Sequence, residues 1–499
     1  MRRGRRLAAW HRDALAMAGL VLALCVITVW LGERIGVNGG QGWDGMAYTE
    51  WAREFWAKVM GGVTRYHSQR VLPSALVHHG LRLVGLPRDV PHVIAGFQVL
   101  NTIALVGSAA LWAHLGRAMG WSRPAVWAGF VALFGGFANA RHALYYPTLT
   151  DPTAFALGMV MVWAYLVRRP WVLWWVAALG IVTWPALPPL AMVLFVFPRP
   201  GAEVAPAAPG RPRAIVAAAV SVVAAIAFLA VALHFLAHPV PGVGDDKFAQ
   251  WVRRDVLVLT LGSLLAMLAL GWYAVLGQPV LWNARGYLTQ LGVRRTALAC
   301  ASVAVLLIGR ALWLRSVGTR GDGPSGAQFL CEHTLAAIRG PLWGLVHQVV
   351  YFGPIILVAA LYWRQLAAVC ARWGPSAVLA LAMVLAFAAG SNSRQWNHLL
   401  PFLVAAAIAA TAPRWTGRTV AVFALLSLIW SKLWLRIGYD VHDNWLRFPN
   451  QRYFMNHGPY ANDTMYLAHA IAAALTLVVL AVLLGRRGPS PSRGTADAG

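Results

Sequence analysis

The sequence predicts an all-α polytopic transmembrane helix bundle of about 12–14 spans, with amphipathic surface helices in its first exterior loop. Three observations lead there. Hydrophobic residues fill 59% of the 499 positions and the mean hydropathy is +0.59, above the roughly 45–50% apolar share of a soluble domain. Apolar runs near the ~20 residues needed to cross a ~30 Å hydrocarbon core recur along the whole length, leaving no stretch for a separate soluble domain. The formal charge of +25 comes from arginines scattered in short linkers between those runs. They form no continuous basic face, so membrane topology accounts for them and a nucleic-acid partner is excluded.

The elements follow in order. "MRRGRRLAAWHR" precedes "ALAMAGLVLALCVITVWLG", an apolar run that is long and lacks a clean small-residue cleavage site; it reads as an uncleaved first span. Basic residues beside short loops stay in the cytoplasm, which places the N-terminus inside. Alternation then puts inside the linkers holding Arg117 and Arg123, Arg168 and Arg169, Arg199 to Arg213, Arg285 to Arg295, Arg364 and Arg372, Arg414 and Arg418, and Arg486 and Arg487. For this to close, "WVLWWVAALGIVTWPALPPLAMVLFVF" must be a hairpin turning at "TWPALPP". The domains expected are an N-terminal membrane module at 1–197 with its first exterior loop at 33–89, a Pro/Ala/Gly-rich cytoplasmic linker at 198–213, a C-terminal membrane module at 214–485 and a cytoplasmic tail at 486–499. The chain is expected in the cell inner or plasma membrane, both termini cytoplasmic.

Acids contribute little to orientation, so their distribution is a separate observation. Of the 17 Asp and Glu residues, only Asp13, Glu203 and Asp497 fall inside. The others cluster in the exterior loops, which locates chemistry there. The cysteines, Cys25, Cys300, Cys331 and Cys370, show neither disulfide framework nor zinc spacing. His78 and His79 have no third ligand at a recognisable spacing and read as structural.

In "GWDGMAYTEWAREFW", Gly42 to Trp56, apolar residues at Tyr48, Trp51, Ala52, Phe55, Trp56 and Val59 make one helical stripe, with Thr49, Glu50, Arg53, Glu54 and Lys58 opposite. Such a helix suits the membrane interface and is too short to cross. "RVLPSALVHHGLRLVGLP" offers a second short surface segment. Asp44 directly precedes the helix, where its carboxylate either caps backbone N–H groups or does chemistry. Glu54 and Lys58 form an i, i+4 pair on a solvated face. In "RYHSQRVLP", Arg65, His67 and Arg70 either converge on a phosphate whose lipid tail stays in the bilayer, or snorkel and hold the surface helices.

"GWDGMAYTEWAREF" together with "RYHSQRVLPSAL" resembles the first-loop pattern of bacterial GT-C-type membrane glycosyltransferases, in which Asp-Gly with a nearby Tyr is followed by an Arg-containing stretch ending in Leu-Pro. These motifs cover about a tenth of the chain, and Asp-Gly alone has little specificity. The resemblance implies a multi-span enzyme that takes a sugar from a polyprenyl-phosphate donor to an exterior acceptor, with Asp44 in a catalytic or acid-coordinating role. It also raises the standing of an acid in the second exterior loop. That acid is Asp151 in "YYPTLTDPTAF", which is either a helix cap before Pro152 or a partner of Asp44, the pair dividing acid and base roles or binding a divalent cation.

"SNSRQWNHLLPF" sets Arg394, Trp396, Asn397 and His398 at the mouth of a late span. Arg394 there contacts donor phosphate, binds a carbonyl end or pairs with an acid. The last exterior loop, "GYDVHDNWLRFPNQRYFMNHGPYANDT", has a composition that suits either sugar stacking or an aromatic belt. The expected function is therefore hexosyl or pentosyl transfer. Asp44 and Asp151 are the candidate catalytic acids, and Arg65, Arg70 and Arg394 the donor-phosphate contacts. Tyr48, His67, Trp396 and His398 are candidate substrate contacts. No cofactor is called for, though a divalent cation at Asp44 and Asp151 stays open. Partners are the bilayer, a polyprenyl-phosphate sugar and a glycan, lipid or protein acceptor. The alternative is a transporter or flippase of lipid-linked glycans, for which Arg310, His234 and His347 would be the intramembrane polar groups.

Overall fold

A computed structural model describes residues 2–62, 64–200, 211–240, 249–283, 291–317, 326–435, 461 and 463–485, with side chains left out at 2–9, 65 and 211. The core of the linker, the tail at 486–499 and nearly all of the last exterior loop lie outside the described residues. Among those described, every regular element is helical. Helix α1 is Arg2–Leu31, and the first loop carries α2 (Gly45–Arg53), α3 (Phe55–Gly61), α4 (Arg65–Ser68) and α5 (Leu72–Leu83). Next come α6 (Val90–Ala118), α7 (Arg123–Phe134), the one-turn α8 (Ala143–Tyr145), α9 (Asp151–Leu166), α10 (Pro170–Ile181), α11 (Leu187–Val196) and α12 (Arg211–Ala237). The second half holds α13 (Leu257–Leu276), α14 (Pro279–Trp282), α15 (Val293–Ser316), α16 (Gly326–Ala337), α17 (Trp343–Phe352), α18 (Ile355–Leu361), α19 (Trp363–Trp373), α20 (Pro375–Ala389), α21 (Leu400–Thr411), α22 (Gly417–Ser431) and α23 (Asp463–Gly485).

Among the described residues, seven helical stretches are long and apolar enough to cross a bilayer, among them Trp10–Leu31, Val90–Ala118, Val293–Ser316 and Asp463–Gly485. The chain is thus an integral membrane protein by composition and helix length. The other expected crossings resolve into shorter apolar helices, such as α9, α10, α11 and α20, and into the pair α18–α19, bent by 85°. The expected hairpin is present as α10 and α11, turning over 182–186. Helix α19 keeps Leu366, Ala367, Val369 and Cys370 buried on one face, the pattern of a helix lying along an interface.

Local chemistry sets the helix ends. Asp89 caps α6 by accepting the His92 N–H at 3.0 Å, Pro91 is tolerated in the first turn, and Gly120 at φ +67° closes the other end. Within α6 the buried positions Phe97, Asn101, Leu105, Ser108 and Trp112 recur at helical spacing and face the bundle. Lipid tails are as apolar as leucine, so helices in a bilayer associate through close packing of small residues. A Cβ on Gly129 would lie 2.0 Å from the Trp112 ring, and one on Gly158 2.1 Å from the His398 carbonyl oxygen.

Among the described residues, the first loop predicted for one side of the membrane is joined to two other segments predicted for that side. Ile35 N–H donates to the Tyr145 carbonyl at 3.0 Å, and Leu72 N–H to the Val182 carbonyl at 2.9 Å. Linkers predicted for the other side are joined in the same way. There Arg123 holds Asp13 at 2.6 Å, and Arg199 donates to the Leu166 carbonyl at 2.7 Å.

The first loop departs from expectation in one respect. Its amphipathic stripe is broken at Glu54 (φ −128°, ψ 50°) into α2 and α3. Trp51 and Phe55 stay packed with Val71 and Val317, while Trp56 is exposed. Lys58 consequently pairs with Glu50 at 3.0 Å rather than with Glu54. His78 is structural, bonding the Ala52 carbonyl at 2.9 Å and the Arg88 guanidinium at 3.2 Å.

Gly158→Ala is expected to cost about 1–3 kcal/mol, because backbone rather than a flexible side chain blocks the new methyl. Gly107→Ala, with nothing within 4 Å of its Cβ, is expected to be neutral or to gain up to ~1 kcal/mol. Thermal unfolding of the purified proteins in one detergent compares the two.

Candidate functional site

Gly42 and Gly45 explain how Asp44 is placed. Gly42 has φ +70°, and a Cβ there would lie 2.2 Å from the Tyr146 ring; one on Gly45 would lie 2.0 Å from the Thr148 hydroxyl. Gly45 N–H donates to the Tyr146 hydroxyl at 3.0 Å, and the Thr148 hydroxyl donates to the Gln41 carbonyl at 2.9 Å. The first loop therefore lies flat on the segment leading to Asp151. That segment is itself pinned by Asn101, whose amide donates to the Ala143 and Pro147 carbonyls at 2.9 and 2.8 Å. Both acids are in this way fixed to one scaffold.

Neither acid caps its helix. Asp44 occupies the cap position of α2 without a side-chain cap bond, and Asp151 is the first residue of α9, with Thr150 before it. Their carboxylates meet Arg394 instead. Arg394 donates from Nε to Asp151 Oδ1 at 2.9 Å and from Nη2 to Oδ2 at 3.1 Å, and its Nη1 lies 3.7 Å from Asp44 Oδ2. Arg394 is carried by the 3₁₀ segment Ser393–Leu399, which Asn397 ties down by donating to the Asp151 carbonyl at 3.3 Å. Burial divides the roles. The Asp151 side chain is 3% exposed and saturated by its fork, whereas that of Asp44 is 40% exposed, so Asp44 is the carboxylate a ligand can reach.

Arg70 is placed differently. It is 2% exposed, with its guanidinium carbon 4.5 Å from the Tyr66 ring centre and 4.1 Å from that of Trp184. It forms no ion pair among the described residues, and its Nε has no hydrogen-bond partner. Arginine stays charged at any physiological pH, so a buried cation is held here by two aromatic faces alone. Trp184 sits at the tip of the α10–α11 hairpin and donates to the Gln395 carbonyl at 3.2 Å. The hairpin tip thus links Arg70 to the turn bearing Arg394.

Tyr48 is buried with an unpartnered hydroxyl, edge-on to His67 with ring centres 5.7 Å apart. His67 Nδ1 meets the Thr64 hydroxyl at 2.8 Å. Burial pushes the His67 imidazole below its ordinary value; Asp44 opposes the shift and Arg70 adds to it. Tyr48, His67, Arg70, Asp44, Asp151 and Arg394 therefore belong to one neighbourhood. Trp396 and His398 lie behind it in the packed interior, Trp396 against Phe352 at 4.5 Å and His398 beside Trp184 at 6.4 Å. The Arg65 side chain lies outside the described residues.

Sequence reasoning missed Tyr66, Trp184, Tyr146, Thr148 and Glu332. Trp184 carried a usable signal, an aromatic in a turn inferred on topological grounds. Glu332, on α16, accepts from the Asn392 amide at 3.3 Å. Burial raises its carboxyl above the usual range; the Asn392 hydrogen bond opposes this and the nearby charge of Asp44 adds to it.

The arrangement does not suit the divalent cation left open at Asp44 and Asp151. The Arg394 guanidinium already lies between the two carboxylates, and among the described residues no group of three or more His, Cys, Asp or Glu is placed to hold an ion. What the cluster offers is one accessible carboxylate, a second locked on an arginine, and a buried cation that forms no ion pair among the described residues.

Asp151→Asn leaves Arg394 buried with only the longer Asp44 contact, and is expected to destabilise by about 3–5 kcal/mol. Adding Arg394→Gln should recover part of that loss, whereas Asp44→Asn should shift stability by less than ~1 kcal/mol; thermal unfolding of wild type, both single variants at 151 and 394 and their double variant measures the coupling, with Asp44→Asn alongside. Comparison with known proteins finds no match: no family model, no curated protein and no solved structure aligns with this chain.

Proposed function

We propose that the protein is a membrane glycosyltransferase that moves a sugar from a polyprenyl-phosphate donor to an acceptor hydroxyl on the exterior face, with both termini in the cytoplasm. One observation carries this reading. A reachable carboxylate, Asp44, lies in the same neighbourhood as a buried arginine, Arg70, that forms no ion pair among the described residues. Such a pair answers the two needs of glycosyl transfer, a base for the incoming hydroxyl and a counter-charge for the departing phosphate.

In the step, the acceptor O–H gives its proton to Asp44 as its oxygen attacks the anomeric carbon. The new C–O bond forms while the bond from that carbon to the phosphate oxygen breaks, its electron pair leaving with the polyprenyl phosphate. Arg70 meets the charge that develops there. Arg394 is a positioning residue on this account, since Asp151 holds its fork and it presents only Nη1 towards Asp44. Asp151 acts through it. No step uses a metal ion.

Translocation without bond chemistry has less support. Two of the three polar groups named for it already have a partner: Arg310 donates to the Gln69 side chain at 2.9 Å, and His347 Nδ1 bonds the Trp343 carbonyl at 2.8 Å. The break between α18 and α19 lies beside Arg414, whose guanidinium is 5.0 Å from the Tyr362 ring, at the end of the bundle remote from Asp44.

Transfer of labelled sugar from a mixed pool of polyprenyl-phosphate sugars to membrane-extracted acceptors tests the proposal. Asp44→Asn is expected to lose roughly 10²–10⁴ in turnover, the range for removal of a general base, with unchanged thermal unfolding. Arg70→Gln should weaken the donor's apparent affinity as well as turnover. Wild-type turnover that survives Asp44→Asn intact would remove the catalytic role, and saturable donor binding without any turnover would favour translocation.

A further inference from the structure

A second group of polar atoms adjoins the centre and is used neither by the ion pairs nor by the proposed chemistry. Helix α16 packs tightly on the turn that precedes Arg394; a Cβ on Gly390 would lie 2.3 Å from the His333 ring, and His333 Nε2 meets the Ala386 carbonyl at 3.0 Å. This contact brings Glu332 to Asn392, whose amide donates to Glu332 Oε1 at 3.3 Å. Among the described residues, several oxygens of this segment and of its packing partner Gln348 lack hydrogen-bond partners. Asn392 Oδ1 is buried and unpartnered, as is the hydroxyl of Ser391, a residue with no exposed surface. Gln348 donates to the Gly390 carbonyl at 2.7 Å and leaves its own Oε1 unpartnered.

These atoms are hydrogen-bond acceptors, apart from the Ser391 hydroxyl, which both gives and takes. Buried acceptors require donors, and no cation among the described residues pairs with them: Arg394 is turned to Asp151 and Asp44, and Arg70 is caged by aromatics. A ligand that offers several hydroxyl donors to such acceptors while carrying no charge is a polyol. The set thus complements Arg70, which recognises charge and offers no oxygen.

We propose that Glu332, Asn392 and Ser391 form an oxygen-lined subsite beside Asp44 that takes the hydroxyl groups of a carbohydrate, so that Arg70 marks the phosphate side of the centre and Glu332 its sugar side. The proposal builds on the reading of the centre as a sugar-transfer site. Its test uses probes that separate the two halves.

The full chain in lipid nanodiscs is titrated with farnesyl phosphate, an anion without a sugar, and with dodecyl glycosides of glucose, galactose, mannose and arabinose, sugars without a phosphate. At least one glycoside is expected to bind saturably, and Glu332→Ala should weaken it about tenfold or more, as loss of a built hydrogen-bond partner does, leaving farnesyl phosphate unaffected. Asn392→Ala should show the same split, which covers the case in which Glu332→Ala folds poorly. Arg70→Gln should reverse the pattern. The subsite is overturned if no glycoside saturates on the wild type, or if neither variant changes glycoside affinity selectively. Farnesyl phosphate binding that ignores Arg70→Gln, beside glycoside binding that still depends on Glu332, would keep the subsite and remove the phosphate assignment.

Discussion

The centre depends on one buried ion pair, the two-pronged contact between Arg394 and Asp151. An arginine and an aspartate taken out of water must satisfy each other's hydrogen-bonding positions or destabilise the fold, and here both prongs are made at 2.9 and 3.1 Å. The pair joins α9 to the turn before α21. With Arg394 fixed from one side, its remaining nitrogen can address only Asp44. The two acids thus differ in kind: one is committed to structure and the other keeps an open face.

Bringing the first loop to that pair is a steric problem, which glycine solves. The stretch around Asp44 lies against Tyr146 and Thr148 at distances that exclude a side chain at positions 42 and 45. Asn101, buried within α6, holds the opposing segment with two amide bonds. A carboxylate on a mobile loop would sample many positions; this one is clamped between a glycine on either side and a segment anchored in the bundle. Close glycine contacts recur between the helices themselves, since the bilayer supplies no hydrophobic force to bring them together.

Arg70 shows the complementary arrangement. A guanidinium is less strongly hydrated than an ammonium and stacks on aromatic faces, so Tyr66 and Trp184 can hold it out of water without neutralising it. The charge is left available to an anion. Trp184 also bonds to the backbone beside Arg394, so the two arginines are spaced by one side chain from a hairpin distant in sequence. The three regions that build the centre are joined through that contact.

The membrane class, the helical architecture and the hairpin turning near "TWPALPP" were all legible in the sequence. They follow from hydrophobic run length, proline and glycine placement and basic flanks, which are local or one-dimensional signals. The same signals read Asp44 and Asp151 as helix caps as readily as functional acids, because a carboxylate before a helix looks alike in both cases. Residues 44, 151 and 394 are separated by more than a hundred positions each, and nothing in their spacing states that they meet. Tertiary packing decided that, as it decided that Trp184 cages Arg70, that Glu332 borders the centre, and that Trp396 and His398 lie behind it. Ion pairing and steric fit act through space between segments whose separation along the chain is arbitrary, whereas the need to bury apolar length in a bilayer is written in the order of the residues.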